Sequence, residues 1–162
     1  MNYLVERKIT FAKPRFSVRD ENDNDVYVVE GKALRVHEQL WIRDLAGIEV
    51  AFVKGRGAFK TKYDISRQGA LVATMEPKQR WFKLNFMLTD AVSGSQTVAL
   101  GNFSGYEYRF EKNGAAVALV RTLRGWTDRY ALEVADGEDD VVYIASVLAI
   151  DAYHEQLERR KR

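Results

Sequence analysis

The sequence predicts a mainly β fold, a closed antiparallel barrel of about 12 strands around a central hydrophobic C-terminal α-helix. Three observations lead to this prediction. Short alternating segments separated by turn residues recur along most of the chain. One segment near the C-terminus is apolar on every face. A sheet closed around such a helix buries all of its faces and leaves no strand edge exposed.

Strand–turn–strand units are predicted throughout the first part of the chain. The clearest hairpin joins 106–111 to 115–122 through Asn113-Gly114, because Asn-Gly favours the tight turns between antiparallel strands. Pro14 and Pro77 both fall between predicted strands, where proline is tolerated. The predicted strands are 3–9, 15–20, 25–32, 39–44, 48–54, 60–66, 70–76, 80–89, 96–103, 106–111, 115–122 and 128–135.

The last segment is predicted to be a core helix over residues 137–158, followed by a basic tail over 159–162. Val141–Ile150 is apolar without a period of two. Its β-branched residues are also compatible with a strand. Its length, the acidic residues before it and the basic residues after it favour a helix, since they match the helix dipole. The whole chain, 1–162, is predicted to be one domain, because this length suits a single core.

Composition excludes some classes of protein. The chain has no cysteine, which excludes disulfides and cysteine ligands and is compatible with a reducing compartment. The net charge of +2 is too small to indicate nucleic acid or membrane partners by itself. The longest apolar stretch is far shorter than the roughly 20 residues of a transmembrane helix, and the start lacks a signal-peptide pattern. We therefore expect a cytoplasmic protein without a transmembrane segment, with peripheral membrane attachment left open.

Candidate catalytic and metal-binding residues are few. His37 lies in a predicted connection and His154 on the polar part of the helix, and ordinary surface or packing roles are favoured for both. Residues 20–25 resemble the opening of a calcium loop. Asp25 stands where that loop requires glycine, and Gly31 where it requires glutamate, which favours an acidic hairpin turn. We predict no catalytic residue, no enzyme activity, no metal site and no cofactor.

The order of these segments resembles the LURP-one-related family and its bacterial relatives, which have the tubby C-terminal-like fold. The resemblance covers essentially the whole chain and rests on Tyr3–Val5, Phe16–Asp20, Val29–Lys32, Asp44–Phe52 and Asp139–Asp151. It implies a twelve-stranded barrel around a central hydrophobic helix. Tubby proteins bind phosphoinositides, and the phospholipid scramblases are similar in fold. No lipid-binding motif of theirs matches this chain residue by residue, so the resemblance implies the fold and no site.

If successive connections of the barrel alternate between its two ends, the acidic connections collect at one end and the basic connections at the other. One end, here named the acidic end, would have a formal charge of −9 in connections 20–25, 44–47, 66–69, 90–96, 111–114 and 136–140. The other, the basic end, would have +11 in connections 10–15, 31–39, 54–62, 76–83, 101–106 and 121–129. The helix would start at the acidic end and deliver its terminal cations to the basic end.

The basic end is the predicted binding site for an anionic ligand. Its connections contain aromatic residues typical of membrane-binding loops: Phe11, Phe59, Trp81, Phe82 and Trp126. The predicted ligand-binding residues are Lys54, Arg56, Lys60, Lys62, Lys78, Arg80, Arg121 and Arg124.

The predicted function is a non-enzymatic binding module for anionic phospholipid or phosphoinositide. The alternative is a protein-interaction or stress-response domain with no lipid ligand, whose partner would present an acidic protein surface. A third interpretation gives the same cations no partner and only a solubilising role. Nucleic acid is not expected, because no recognised motif supports it. The sequence does not indicate an oligomeric state.

Overall fold

The computed structural model describes residues 1–8, 15–33, 38–56, 62–80, 83–123 and 129–160. These residues form twelve strands and one helix. The strands are β1 (Asn2–Lys8), β2 (Arg15–Asp20), β3 (Asp25–Ala33), β4 (Glu38–Asp44), β5 (Glu49–Arg56), β6 (Lys62–Arg67), β7 (Ala70–Arg80), β8 (Lys83–Asp90), β9 (Gln96–Asn102), β10 (Glu107–Lys112), β11 (Ala115–Thr122) and β12 (Arg129–Val134), and the helix is α1 (Asp140–Arg160).

The strands form a closed barrel. Each strand pairs antiparallel with its neighbours in the chain, and β1 pairs with β12 to complete the circle. The predicted fold class is therefore confirmed. Because neighbouring strands run in opposite directions, successive connections lie at alternate ends of the barrel. Alternate residues of each strand point inward and supply the core, as Val5, Ile42 and Ile65 do.

Helix α1 lies inside the barrel. Every residue from Tyr143 to Ala152 is buried, which covers nearly three helical turns and therefore all faces of the helix. Its side chains contact strands spaced around the circumference: Tyr143 packs on Phe110 of β10, and Tyr153 packs on Phe86 of β8. The helix thus fills the interior that a ligand occupies in an open barrel. This helix is not long and apolar enough to cross a membrane, and the described residues contain no other.

The helix starts at the acidic end, three residues later than predicted. Gly137 has a positive φ of 85° in the preceding turn. Asp139 then caps the helix, since its carboxylate accepts a hydrogen bond from the Val142 amide at 3.3 Å. Asp139 also pairs with Arg67 beside the β6–β7 turn at 2.7 Å. The helix ends at Arg160, toward the basic end.

Pro77 departs from the predicted boundaries, which place it between strands. It lies inside β7, in register with Phe86 of β8. The pairing of β6 with β7 ends at Met75, so Pro77 lies where β7 extends past its β6 partner in the described residues. Proline is tolerated in a strand where the missing N–H would point away from a paired neighbour. The prediction failed because the extent of pairing with a neighbouring strand is not visible in the sequence of β7 alone.

Candidate functional site

Four of the eight predicted ligand-binding residues lie together on the outside of the barrel. Lys54 and Arg56 lie on β5, Lys62 on β6 and Lys78 on β7, three adjacent strands. Arg56 is directly opposite Lys62 in the ladder. The buried residues of these strands, among them Val53, Tyr63 and Met75, have the opposite parity. These four side chains therefore point outward, and all four are exposed. We refer to Lys54, Arg56, Lys62 and Lys78 as the cation cluster.

Two carboxylates lie within the cation cluster. Asp64 pairs with Arg56 at 2.7 Å, and Glu76 lies 3.8 Å from Lys62 and 3.3 Å from Lys78. The four cations therefore exceed the two carboxylates, and the cluster has a surplus of positive charge. The cations are about half exposed, 47–54% for the three in these pairs. Exposed pairs of this kind are weak, because water screens them, so they leave the cations able to exchange partners.

The other predicted residues do not join the cluster in the described structure. Arg121 lies on the outer surface of β11, and three strands separate β11 from β7. Arg80 ends β7 opposite Lys83 of β8, and only its backbone is described. Lys60 and Arg124 lie outside the described residues, as do the aromatic residues Phe11, Phe59, Trp81, Phe82 and Trp126 and the histidine His37.

The acidic end uses its carboxylates to hold turns. Asp20, Asp44 and Asp90 each stand where a strand enters a hairpin turn, and each side chain accepts two backbone amides of that turn. The amides of Ser93 and Val92 hold the pKa of Asp90 below its usual value, because they stabilise its ionised form. Aspartate in these positions therefore has a structural role in three of the hairpins.

The 20–25 segment is an acidic hairpin turn. The Asp20 carboxylate faces the amides of Asn22 and Asn24, and Arg19 contacts Asp23 at 3.3 Å and Asp25 at 3.2 Å. Its carboxylates are thus directed to backbone amides and to an arginine. Within the described ranges, no three His, Cys, Asp or Glu side chains are placed to hold a metal ion.

A polar network inside the barrel was not predicted from the sequence. Asp151, on the helix and only 7% exposed, accepts hydrogen bonds from Arg7 of β1 at 2.8 Å and from the Tyr106 hydroxyl at 2.9 Å. Glu155, one turn later, lies 3.5 Å from the same guanidinium. Tyr106 stacks on Tyr130 with ring centroids 4.8 Å apart. The network joins the helix to β1 and to the 103–106 connection at the basic end.

Burial and the Asp151 carboxylate shift the titration of this network. Burial opposes the charge of Arg7, but Asp151 and Glu155 raise the pKa of its guanidinium above the usual value. Burial, together with Asp151, raises the pKa values of Tyr106, Tyr108 and Tyr130. The tyrosines therefore remain neutral and the Arg7 guanidinium remains charged at neutral pH. The geometry suits anchoring of the helix. Arg7 and Asp151 are 144 residues apart, and no sequence pattern links them.

Comparisons with known proteins agree with this architecture. A family model described as LURP-one-related matches residues 1–151. The Bacillus subtilis (strain 168) protein YxjI, described as uncharacterised, is 21% identical over 150 residues, which cover 91% of this chain and 90% of that protein. An X-ray structure of a protein from Arabidopsis thaliana superposes with a TM-score of 0.63 at 16% identity, covering 99% of this chain and 92% of that one. The structural likeness supports the fold alone.

Proposed function

The chain belongs to the LURP-one-related family, and we propose that it acts as a non-enzymatic binding module whose basic end attaches to anionic phospholipid headgroups, phosphoinositides included. The observation that supports the proposal is the cation cluster on β5, β6 and β7. A surface with several exposed lysines and arginines is attracted to anionic lipids by about 1 kcal/mol per cation. Four such residues on one face are enough for measurable attachment.

The filled interior favours an external site. Helix α1 occupies the volume in which an open barrel holds a ligand, since its residues from Tyr143 to Ala152 are buried on all faces. A ligand must therefore bind at a rim or on the outer surface. The cation cluster is on the outer surface, close to the basic end of β5, β6 and β7.

We also propose that the module acts at a membrane surface. Anionic lipids are concentrated in the cytoplasmic leaflet of cell membranes, and an exposed cation cluster suits peripheral attachment there. A chain without cysteine is compatible with that reducing compartment. The module would then act as a peripheral protein of the cytoplasmic membrane surface.

Vesicle flotation tests the proposal. The protein should float with vesicles that contain phosphatidylserine or phosphatidylinositol bisphosphate and not with pure phosphatidylcholine, and high salt should weaken the binding. The combined variant Lys54→Gln, Arg56→Gln, Lys62→Gln, Lys78→Gln should bind at least tenfold more weakly. At about 1 kcal/mol per cation the loss would be larger, but the neighbouring Asp64 and Glu76 reduce the attraction in the wild type.

The control removes positive charge at the other end. Arg43 lies on β4 near the acidic end, and Arg19 lies on β2 beside the acidic turn. The double variant Arg19→Gln, Arg43→Gln should float like the wild type. The double variant Lys54→Gln, Lys78→Gln removes the same number of positive charges from the cation cluster and is the charge-matched comparison. Equal flotation with neutral and anionic vesicles would refute the proposal. A stoichiometric protein partner recovered by pull-down, insensitive to lipid, would favour the protein-interaction alternative.

A further inference from the structure

The barrel wall opens between β8 and β9 at the basic end. The described pairs of this ladder run from Thr89 opposite Gln96 to Phe86 opposite Ala99 and end there. Both strands continue for three more residues toward the rim, 83–85 and 100–102, and each remains paired with its other neighbour, β7 or β10. The two strands therefore diverge. In each of the two strands, every second residue then points its backbone N–H and C=O groups into the gap and not toward a paired strand.

Gly101 lies where the two strands diverge. Its φ is +136°, and a Cβ atom at this position would lie 2.6 Å from the carbonyl oxygen of Glu107 and 2.7 Å from the Cα of Tyr108. Only glycine allows β9 to approach the backbone of β10 this closely. The divergence of β9 from β8 therefore coincides with a close approach to β10 that requires glycine at this residue.

The connection after Gly101 is held rigidly on one side of the opening. Phe103 is buried, with its ring 4.7 Å from Phe86 and 4.8 Å from Tyr108. Tyr106 adopts a φ of +54°, which is uncommon for a bulky side chain, and its hydroxyl is bound by Asp151. The anchored network in the interior therefore fixes the wall of the opening, and a ligand would meet a preformed site.

The opening is a cleft of about 550 Å³ lined by groups that suit an anion. Lys83 and Arg109 supply positive charge, although Arg109 also pairs with Glu111 at 2.8 Å. Asn85 and Asn102 supply amide donors, the Ser104 hydroxyl donates to Asn102, and Phe103 and His154 form the inner part of the cleft. The lining residues in the described structure include no carboxylate. A cleft of the same volume at the acidic end is lined by Glu21, Glu133 and Asp136, so lining of this kind is not general for the molecule.

We infer that the cleft between β8 and β9 is a binding site for a phosphomonoester group, on a soluble molecule or on a lipid headgroup. Two cations, side-chain amide donors and backbone N–H groups together match the several acceptor oxygens of a phosphate. Each open strand edge is only three residues long, which is too short for an added peptide strand. The inference deepens the proposed function, because it supplies a headgroup site beside a surface that attracts anionic lipid.

Calorimetry with inositol trisphosphate at physiological salt tests the inference. The wild type should bind, and Lys83→Gln, Arg109→Gln should bind at least tenfold more weakly. The charge-matched Arg19→Gln, Arg43→Gln should bind like the wild type. Amide chemical shifts of residues 83–85 and 101–105 should change on titration more than those of the acidic turns. No binding by the wild type, or equal binding by the Lys83 and Arg109 variant, would overturn the inference.

The two proposals fail in different ways. Vesicles containing phosphatidylserine lack a phosphomonoester, so the Lys83 and Arg109 variant should retain most of its attachment to them, while the four-residue variant of the cation cluster loses it. Retained vesicle attachment in the four-residue variant would refute the proposal that the cation cluster binds lipid. It would not affect the inference that the cleft binds a phosphomonoester. Binding of inositol trisphosphate without added affinity for phosphatidylinositol bisphosphate vesicles would support the cleft and identify a soluble ligand.

Discussion

The two ends of the barrel use their charges differently. At the acidic end, Asp20, Asp44 and Asp90 accept the amides of their own turns, and Asp139 caps the helix. At the basic end, the outward cations of the cation cluster exceed the nearby carboxylates, and the described cleft between β8 and β9 is lined by Lys83 and by Arg109, which pairs with Glu111. One end is engaged in holding the fold, and the other presents charge to solvent.

This difference shows that a near-neutral chain can separate charges that hold turns from charges that face solvent by position alone. The net charge of +2 conceals it. The exception is the interior of the basic end, where Arg7 and Asp151 form a structural pair across the helix and β1. The comparison therefore predicts that stability depends on the inner pair and on the acidic turns, and little on the outer cations.

The largest expected effect is at the inner pair. Replacing Asp151 by alanine leaves the Arg7 guanidinium, with a side chain 31% exposed, and the Tyr106 hydroxyl without their shared acceptor. Removing one partner of a buried pair typically costs about 3–5 kcal/mol, and the partial exposure of Arg7 places this change near the lower value. Chemical denaturation monitored by tryptophan fluorescence measures the free energy of unfolding.

Two variants sharpen this prediction. Asp151→Asn loses the charge but keeps one acceptor oxygen, which can face Arg7 while the amide NH2 donates to the Tyr106 hydroxyl. It should therefore be less destabilising than Asp151→Ala. The four-residue variant of the cation cluster, whose side chains are exposed, should change stability by less than about 1 kcal/mol. If the cluster variant unfolded as easily as Asp151→Ala, the outer cations would be structural and the comparison between the two ends would be wrong.

The sequence was sufficient for the parts of the fold that depend on local pattern. Alternation and turn residues such as Asn113-Gly114 indicate the strands, and an apolar segment without a period of two indicates the buried helix. It was less informative where the outcome depends on a neighbouring strand. Pro77 is accommodated inside β7 beyond the point where the described pairs with β6 end at Met75, which the sequence of β7 alone does not reveal.

The candidate sites show the same limit. The basic end was predicted from charge, and the parity of β5, β6 and β7 brings Lys54, Arg56, Lys62 and Lys78 together. Arg121 has the same chemistry but lies on a distant strand. The link between Arg7 and Asp151 spans 144 residues, and the β8–β9 cleft coincides with a close approach at Gly101. Both require the closed ladder, so neither follows from local pattern.

The next largest effect is a loss of stability at high pH from the tyrosines around Asp151. Burial raises the pKa of Tyr130 well above 10.0, and burial raises the pKa of Tyr106 as well. The folded state then holds these protons more tightly than the unfolded state. The contribution of these protons to the free energy of unfolding is complete below pH 10 and is lost as the pH rises through the pKa values of the folded state. At pH 11 each such tyrosine lowers the free energy of unfolding by about 1.4 kcal/mol relative to neutral pH.

Denaturation curves between pH 8 and pH 11 check this expectation. Tyr130→Phe should recover about 1.4 kcal/mol of the alkaline loss. Tyr27 lies toward the acidic end, and burial followed by Asp140 raises its pKa less strongly, so Tyr27→Phe should recover less. Equal recovery in both variants would show that the tyrosines around Asp151 hold their protons no more tightly than Tyr27 does.

The smallest effect concerns the helix cap at the acidic end. Asp139→Ala removes the acceptor of the Val142 amide and the partner of Arg67. Loss of an N-cap typically costs about 1 kcal/mol, and the exposed pair with Arg67 adds little, because both side chains are more than a third exposed. Asp136 is also acidic and exposed but precedes the cap, so Asp136→Ala should change the free energy of unfolding by less than about 0.5 kcal/mol. Urea denaturation of both variants measures the difference. If the two variants were equal, the acidic end would owe its effect on stability to general charge, and the structural role assigned to its individual carboxylates would fail.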